Sequence, residues 1–439
     1  MASLTAKLTE LVRTKPVSDA DIAAAELFAL DAIANMVAGR NSGPGRKISA
    51  WKQELLGERS NSGTMGLDPP RRAFIYGAHC HILEVDDLHR ASVVHPGCVV
   101  VPVLLALGKG RPRRKVLTAL LHGFDACCRI GMAVGKEHYR IWHNTATCGP
   151  FGAAMAAAHL LDLDNVQTVH ALGNAGSQSS GLWEFLDTGA ETKHLHAGRA
   201  AESGVIAAGL AAQGFTGPPE ILEGTRGFFK AACPDAVPKR VLAEPDAPWQ
   251  VHLTSIKPWP SCRHTHPAID AAQRIRTQML AEGLDFSGLN EVEVETYQAA
   301  LDLCNRVETP TAYAAKFSLQ HTVSAALSHD EVTFDSFDDA ARKSLSDSRK
   351  KVFVRRAEDV QSRYPAHWGT RIKAHHKTGG MFTSEVENAK GDPELPLSRA
   401  EMISKAGRLI EFGSPGLAKP IISAVQSDLA FENLYNSIN

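Results

Sequence analysis

The sequence predicts a mainly α-helical protein with two domains, a large all-helical domain and a smaller α+β lid domain. Its 439 residues exceed the roughly 250–300 residues that a single hydrophobic core usually serves. Apolar residues recur at helical spacing from residue 19 to residue 215. The alternation that is typical of strands becomes evident only after Lys257. These three observations favour an N-terminal helical domain that is followed by a module of helices and strands.

The first helix of the large domain is predicted to begin at Ser18-Asp19 and to end at Gly39, because Ser and Asp cap helix starts and Gly commonly follows helix ends. Several later helices are rich in Ala and Gly and apolar nearly all round, which predicts that they are buried on several sides. They are predicted over residues 98–108, 115–134, 150–162, 166–180 and 198–214.

The second domain is predicted from alternating segments that end in turn residues. Strands are expected at 289–297, at 350–358 and in a hairpin at 370–386 that contains a Gly-Gly turn. Helices are expected at 264–283 and 315–329, and the chain returns to helix near its end. The predicted domains are 1–258, rejoined by C-terminal helices 396–439, and 259–395.

Composition excludes several classes of function. With Lys+Arg 47 against Asp+Glu 48, the net charge is −1. The composition therefore shows no excess of positive charge that would attract nucleic acid or a membrane surface. No run approaches 18 uninterrupted apolar residues, so a membrane span is not expected. The eight Cys form no CxxC pair, and the N-terminus lacks the apolar core of a signal peptide. A cytoplasmic protein with reduced thiols is the expectation.

One stretch, residues 73–107, concentrates titratable side chains between two apolar runs. Asp86 and Asp87 are followed by His89 and His95, in a polar turn flanked by helix-like segments. Binding and catalytic groups concentrate on loops of this kind, which are held by rigid elements. The structural alternative is that an Asp caps a helix and that His-Pro-Gly forms a turn.

A metal site is a further alternative for this stretch. His79 and His81 precede the acidic pair, but on a helix they would point to different faces. The Cys residues form no apparent triad for an iron–sulfur cluster. We therefore predict no metal.

Six blocks of this sequence resemble, in the same order, the MmgE/PrpD family of 2-methylcitrate dehydratases and cis-aconitate decarboxylases. The family motif A-F-x-N-G-x-x-A-H-x-L-D-F-D-D-T-H, followed by His-Pro, is similar to residues 73–96. The other blocks are 138–161, 171–185, 192–218, 256–272 and, more weakly, 315–327. The resemblance extends from about residue 20 to about residue 400.

The resemblance implies a homodimer that uses no cofactor and binds a small di- or tricarboxylate between its domains. Two lysines that converge on a pocket suit such a ligand. An arbitrary lysine, in contrast, is usually a charge on the protein surface. The structural alternative for Arg263 is an ion pair. The implied catalytic residues are Asp86, His95, His143, Lys193 and Lys257. The candidate substrate-binding residues are His89, Thr145, His196, Arg199, Cys262, Arg263 and His321.

Three positions depart from the family pattern. Leu88 stands where many members have Thr, Cys262 stands where the decarboxylase motif has His, and His321 replaces the usual Tyr. The departures allow a substrate different from those of the namesake enzymes, and many dehydratase-like members have Cys at the position of Cys262. We expect a lyase of the 2-methylcitrate dehydratase kind, which transfers a proton next to a carboxylate. The alternatives are a cis-aconitate-type decarboxylase, an iminodisuccinate-type epimerase and, from a different class, a non-catalytic carboxylate-binding or scaffold protein.

Overall fold

The computed structural model describes residues 2–428, Leu434 and Ile438, and it gives the backbone alone for residues 58–62. The chain is mainly α-helical, as predicted. It divides into two compact units, of which the first comprises Met1–Ser255 with Ser398–Asn439 and the second Ile256–Leu397.

The first unit is built from helices joined by short connections. Its α-helices are Leu4–Thr14, Asp19–Gly39, Gly43–Leu56, Pro69–Cys80, Gly97–Leu107, Arg113–Ala133, Lys136–Ile141, Asn144–Leu160, Asn165–Gly176, Phe185–Thr188, Thr192–Ala212, Phe228–Ala232, Arg399–Gly413 and Ala418–Val425. Its 3₁₀ helices are Gly57–Gly66, Pro238–Leu242 and Gln250–Leu253, and strand Leu88–His89 pairs antiparallel with Thr254–Ser255.

The predicted start of helix Asp19–Gly39 is confirmed. The Ser18 hydroxyl accepts the N–H of Asp21, and the Asp21 side chain accepts the N–H of Ser18 in return. This reciprocal pair satisfies two N–H groups that a helix start leaves without intrahelical partners. The start of helix Asn144–Leu160 differs from the prediction by six residues, because the helix already begins in the polar segment before its Ala/Gly run.

Small residues let the buried helices approach closely around helix Thr192–Ala212, which packs against Asn144–Leu160 and Pro69–Cys80. A Cβ added at Gly204 would lie 2.3 Å from the Cβ of Ala153, which is far inside van der Waals contact. The absence of a side chain at this position therefore brings together the helices that carry Lys193 and His143 at their N-terminal ends.

Two helices, Asp19–Gly39 and Arg113–Ala133, have the length and apolar character of a membrane span. Their most apolar stretches are 83% and 89% buried within the protein. Burial of this kind is what core helices of a large helical domain show. The apolar runs are therefore accounted for by packing.

The C-terminal helix Arg399–Gly413 packs on helix Asp19–Gly39. The Lys405 ammonium lies 2.6 Å from the Asp31 carboxylate and donates to the carbonyl of Val85 at 2.8 Å. This buried lysine thereby supports the backbone next to Asp86.

The second unit combines helices with a sheet. Among the described residues, the sheet has four strands, ordered 352–356, 289–296, 370–376 and 381–386, with the first pair parallel and the other two pairs antiparallel. The strands are Leu289–Thr296, Val352–Arg356, Thr370–His376 and Met381–Val386. The α-helices are His266–Ala281, Gln298–Cys304, Ala312–Lys316, Leu319–Ser328, Asp339–Ser344, Ser346–Arg349 and Glu358–Arg363, with 3₁₀ helices at Arg263–Thr265, Phe286–Gly288 and Asp335–Phe337. The predicted strands and the hairpin are confirmed.

Candidate active site

Asp87 has a structural role in the loop that precedes helix Gly97–Leu107. Its carboxylate oxygens accept the backbone N–H of Gly97 at 3.1 and 3.0 Å. Burial, with the nearby charges of Asp86 and Asp31, raises the pKa of Asp87 well above its usual range. Helix capping, the structural alternative for the acidic pair, is therefore the role of Asp87.

The neighbouring Asp86 carboxylate is shared by two imidazoles. Its Oδ2 atom lies 2.6 Å from Nδ1 of His81 and 3.1 Å from Nδ1 of His95. The two rings meet edge to face with centroids 4.7 Å apart. Since an ionised carboxylate only accepts hydrogen bonds, Nδ1 of His81 carries the proton of the 2.6 Å contact, and Nε2 is the atom of that ring that is available for proton exchange.

Electrostatics favour an ionised Asp86 beside a neutral His81. Burial alone would raise the pKa of Asp86, but His81 and His95 hold it well below its usual range. Burial lowers the pKa of His81 to about 3, against the opposing effect of Asp86, and the charge of Lys193 contributes to the lowering. Among the described residues, Nε2 of His81 and Oδ1 of Asp86 have no hydrogen-bond partner.

His143 is held at the start of helix Asn144–Leu160, where it occupies the N-cap position. Its ring stacks on that of His81 at 5.6 Å and lies 4.6 Å from that of Trp183. Its Nδ1 is 3.3 Å from Nδ1 of His196. Burial, together with the neighbouring cationic groups, lowers the pKa of His143 well below its usual range.

Two side chains fasten the loop of His95 to this same helix start. The Thr145 hydroxyl oxygen accepts the backbone N–H of His95 at 3.1 Å. The Asn144 amide donates to the carbonyl of Ser92 at 2.8 Å. Thr145, a predicted substrate-binding residue, thus positions His95.

Lys193 lies in the first turn of helix Thr192–Ala212 and forms a buried ion pair with Glu84. Its charge contributes to the lowered pKa values of His81 and His143. The lysine predicted from the sequence therefore belongs to the same electrostatic environment as the histidines.

These groups differ in their access to solvent. The base of the site is 0–1% exposed and consists of His81, Asp86 and His143. The rim is 7–9% exposed and consists of His95, Lys193 and His196. The rim residues are therefore the more accessible of these groups to solvent.

An open cleft of about 620 Å³ adjoins the site at His196. Its walls include Trp142, Phe185 and Arg199. The guanidinium of Arg199 pairs with Glu202 one helical turn away, and its side chain is 48% exposed. Arg199 thus lies on the cleft wall rather than at the base with Asp86.

His89 is buried and contacts the protein itself. Its Nδ1 lies 2.8 Å from the Ser92 hydroxyl, and its backbone pairs with Thr254 in the short sheet. Burial lowers its pKa to about 4. These contacts shape the loop that carries the site.

The remaining predicted residues lie in the second unit. Lys257 is 2% exposed, and the N–H of Cys262 donates to the carbonyl of Lys316. Arg263 closes a buried ion pair with Asp392, which is the structural alternative weighed for it. Nε2 of His321 lies 2.7 Å from the carbonyl oxygen of Ser336, a contact typical of a packed histidine.

Sequence reasoning missed two residues of the site, His81 and Glu84. His81 was considered only with His79, and the two do point apart: His79 contacts Gly45 and Ser49. The signal was available, since His81 occupies the His position of the family motif quoted above. Glu84 occupies that motif's first Asp position.

The base of the site also has atoms of the kind that bind metals. His81, Asp86 and His95 each offer one, and these atoms lie within 4.8 Å of one another. A tetrahedral metal with ligand bonds of 2.0–2.2 Å keeps its ligand atoms roughly 3.3 Å apart. The 2.6 Å between His81 Nδ1 and Asp86 Oδ2 is a hydrogen-bond distance instead, which favours proton chemistry.

We therefore expect turnover to survive exhaustive dialysis against EDTA. The measurement is the initial rate before and after dialysis, with the metal content determined by mass spectrometry. A rate that falls on chelation and returns with one divalent ion would show that turnover depends on a metal and would overturn this expectation.

Comparison with known proteins finds matches over most of the chain. The model of the MmgE/PrpD N-terminal domain matches residues 4–240, and that of the MmgE/PrpD C-terminal domain matches residues 259–427. Cis-aconitate decarboxylase of Homo sapiens is 26% identical over 356 residues, which cover 77% of this chain and 72% of that protein. Cis-aconitate decarboxylase of Aspergillus terreus is 25% identical over 364 residues, which cover 77% and 74%.

Proposed function

Because this chain belongs to the MmgE/PrpD family, we propose that it is a cofactor-independent lyase that acts on a small di- or tricarboxylate. The observation that carries the proposal is the Asp86 carboxylate shared by His81 and His95, with the ammonium of Lys193 at the same site. A carboxylate-anchored imidazole is suited to proton transfer, and an ammonium stabilises a carboxylate on which charge develops.

The first candidate reaction is decarboxylation of a cis-aconitate-like tricarboxylate. The bond to the departing carboxylate breaks, and CO₂ leaves. The electron pair spreads over the adjacent C=C bond, and a protonated histidine gives its proton to the far carbon. The relatives named above favour this reaction, because both are cis-aconitate decarboxylases.

The second candidate is dehydration of a 2-methylcitrate-like hydroxy acid, the reaction expected from the sequence. A histidine then removes the proton α to a carboxylate, and a second group protonates the departing hydroxyl, which leaves as water. Cys262 favours this candidate, since it stands where the decarboxylase motif has His. A homodimer in the cytoplasm remains a prediction for either reaction.

Incubation with four compounds separates these functions. Cis-aconitate, 2-methylcitrate, citrate and iminodisuccinate are each followed by NMR, in water and in deuterated water. Loss of CO₂ identifies a decarboxylase, a new alkene from a hydroxy acid identifies a dehydratase, and α-deuteration with inversion identifies an epimerase. Binding without any of these changes would support the carboxylate-binding protein and overturn the lyase.

Replacement of Lys193 by Met is expected to lower kcat/KM by on the order of 10²-fold, or roughly 3 kcal/mol, because it removes a charged hydrogen bond from the site. Loss of the lysine also leaves Glu84 buried without its partner, which typically costs several kcal/mol of stability. The double variant Lys193→Met/Glu84→Gln removes both charges and separates the two effects. The measurements are kcat/KM and the melting temperature of each variant.

The family resemblance assigns Lys257 to the same substrate, so Lys257→Met is expected to lower kcat/KM similarly. A kcat/KM near the wild-type value in both Lys257→Met and the double variant would show that these lysines have structural roles only.

A further inference from the structure

The cleft beside His196 has a volume of about 620 Å³. Pockets of about 300–1,000 Å³ hold whole small molecules, so this cleft is much larger than a methyl group requires. Its apolar walls include five large side chains, those of Trp142, Pro150, Leu182, Phe185 and Leu195. Leu182 and Leu195 are 51% and 47% exposed. The cleft therefore offers apolar surface that a bound ligand would remove from water.

One face of helix Thr192–Ala212 forms a wall of this cleft. The lining residues of the helix recur at intervals of one, three and four: Thr192, Leu195, His196, Arg199, Ala200 and Ser203. Side chains at this spacing lie on the same face of an α-helix. At 1.5 Å per residue, the wall extends for roughly 16 Å. Lys193, the predicted carboxylate ligand, lies in the first turn of the same helix. The cleft therefore begins at the end of the helix where a carboxylate is expected to bind.

His196 joins the cleft to the candidate active site. It lines the cleft, and its Nδ1 lies 3.3 Å from Nδ1 of His143. Gly181 lies at the same junction, where its carbonyl accepts the N–H of His143 at 2.9 Å. A Cβ at Gly181 would overlap that of Ala146 and lie 3.2 Å from Nδ1 of His196. Glycine therefore leaves space at the junction that any other residue would fill.

The charges along the cleft suit an apolar group better than a further carboxylate. The charged residues that line it are Glu184 and Arg199, and Arg199 is already paired with Glu202. His196 is neutral near pH 7, since burial lowers its pKa to about 4. A carboxylate in the cleft would therefore meet Glu184 without a cation of its own, whereas an apolar group would meet rings such as that of Phe185.

We propose that the cleft binds an apolar substituent of the substrate that is longer than a methyl group, so that this protein acts on an alkyl-substituted di- or tricarboxylate. The carboxylates bind beside Lys193 and His95, and the alkyl chain lies along helix Thr192–Ala212. The inference rests on the carboxylate site of the proposed function, and it holds for decarboxylation and dehydration alike.

Two unreactive probes test the proposal. Methylsuccinate and butylsuccinate carry the same two carboxylates and differ by three methylene groups. Binding of both is measured by calorimetry at pH 7.5. A fully buried methylene group strengthens binding about fourfold. Since the cleft is open to solvent, we expect about twofold for each methylene group, so that the wild-type protein binds butylsuccinate about eightfold more tightly than methylsuccinate.

A matched pair of variants locates the butyl group. Leu195 and Leu210 lie on the same helix and are 47% and 41% exposed, but Leu195 lines the cleft and Leu210 does not. Leu195→Asn is expected to lower the ratio of the two affinities to about threefold or less, because it removes apolar wall from the cleft. Leu210→Asn is expected to keep the wild-type ratio.

The outcomes for the proposed function and for this inference are distinct. If neither probe binds to the wild-type protein, the carboxylate site itself is wrong, and the inference falls with it. If methylsuccinate binds and butylsuccinate binds no more tightly, the carboxylate site stands and the apolar subsite is wrong.

Two further results would also overturn the apolar subsite. A ratio that stays near the wild-type value in Leu195→Asn would place the butyl group outside the cleft. Sedimentation velocity of the same variants tests whether a second copy of the chain covers the cleft instead. A wild-type dimer that dissociates in Leu195→Asn, with the ratio unchanged, would show that the cleft is a contact between copies.

Discussion

Replacement of His95 by Asn is expected to lower kcat by about 10³-fold, within the 10²–10⁴-fold range of general acid–base catalysis, while ligand binding persists. Asn is the informative substitution because its amide N–H occupies the position of Nδ1, the atom that contacts Asp86 at 3.1 Å. The contact with the carboxylate is thus retained, and Nε2 is lost. His95 is chosen because it lies at the rim of the site, 9% exposed.

The experiment measures kcat and the affinity for an unreactive carboxylate separately. His122→Asn is the matched control, since His122 is also buried in the first unit but packs against His159 and Trp249. His143→Asn tests the partner acid, because His143 stacks on His81 at the base of the site. An unchanged kcat and pH profile in His95→Asn would assign the proton transfer to another group.

Much of the fold follows from the sequence because burial dictates it. Helices such as Asp19–Gly39 and Arg113–Ala133 consist of long apolar segments with recognisable ends, and their limits differ from the predicted ones by two residues at most. The order of the strands was not predicted. The parallel pairing of Leu289–Thr296 with Val352–Arg356 joins segments about 60 residues apart, and no local pattern encodes such a pairing.

The sequence predicted those residues of the candidate site that lie within the family motifs. Asp86, His95, His143 and Lys193 were named from the sequence, and the structure brings them together in one unit. What the sequence could not provide is how they pair. The contact between Glu84 and Lys193 depends on the path of a loop with a positive φ, which sequence periodicity does not encode.

Acid is expected to destabilise this protein strongly, because it buries several histidines in the neutral form. Burial lowers the pKa of His79, His81 and His264 to about 3 and that of His89 to about 4. In the unfolded chain each returns to about 6.5. The unfolded state therefore binds more protons between these values, so that the free energy of unfolding falls as the pH falls below 6.5.

The expected loss in the free energy of unfolding follows from the same linkage between proton binding and folding. At pH 5, each of these four histidines contributes a loss of about 2 kcal/mol, at roughly 1.4 kcal/mol per pH unit below 6.5. Together they remove about 8 kcal/mol, which is comparable to the whole stability of a typical domain. Asp87 opposes this trend, because its raised pKa means that the folded state takes up a proton as the pH falls. Asp87 is a single group, however, and four histidines act in the opposite direction.

Thermal unfolding monitored by circular dichroism from pH 7.5 to pH 5 checks the prediction. With an unfolding entropy of about 2 cal/mol/K per residue, a loss of about 8 kcal/mol corresponds to a fall in Tm of about 10 °C for a chain of this length. His79→Gln removes one titrating group outside the site and should reduce the slope of Tm against pH. Because each neutral histidine must gain a proton on unfolding, a Tm that stays level from pH 7.5 to pH 5 would mean that these histidines titrate normally in the folded protein.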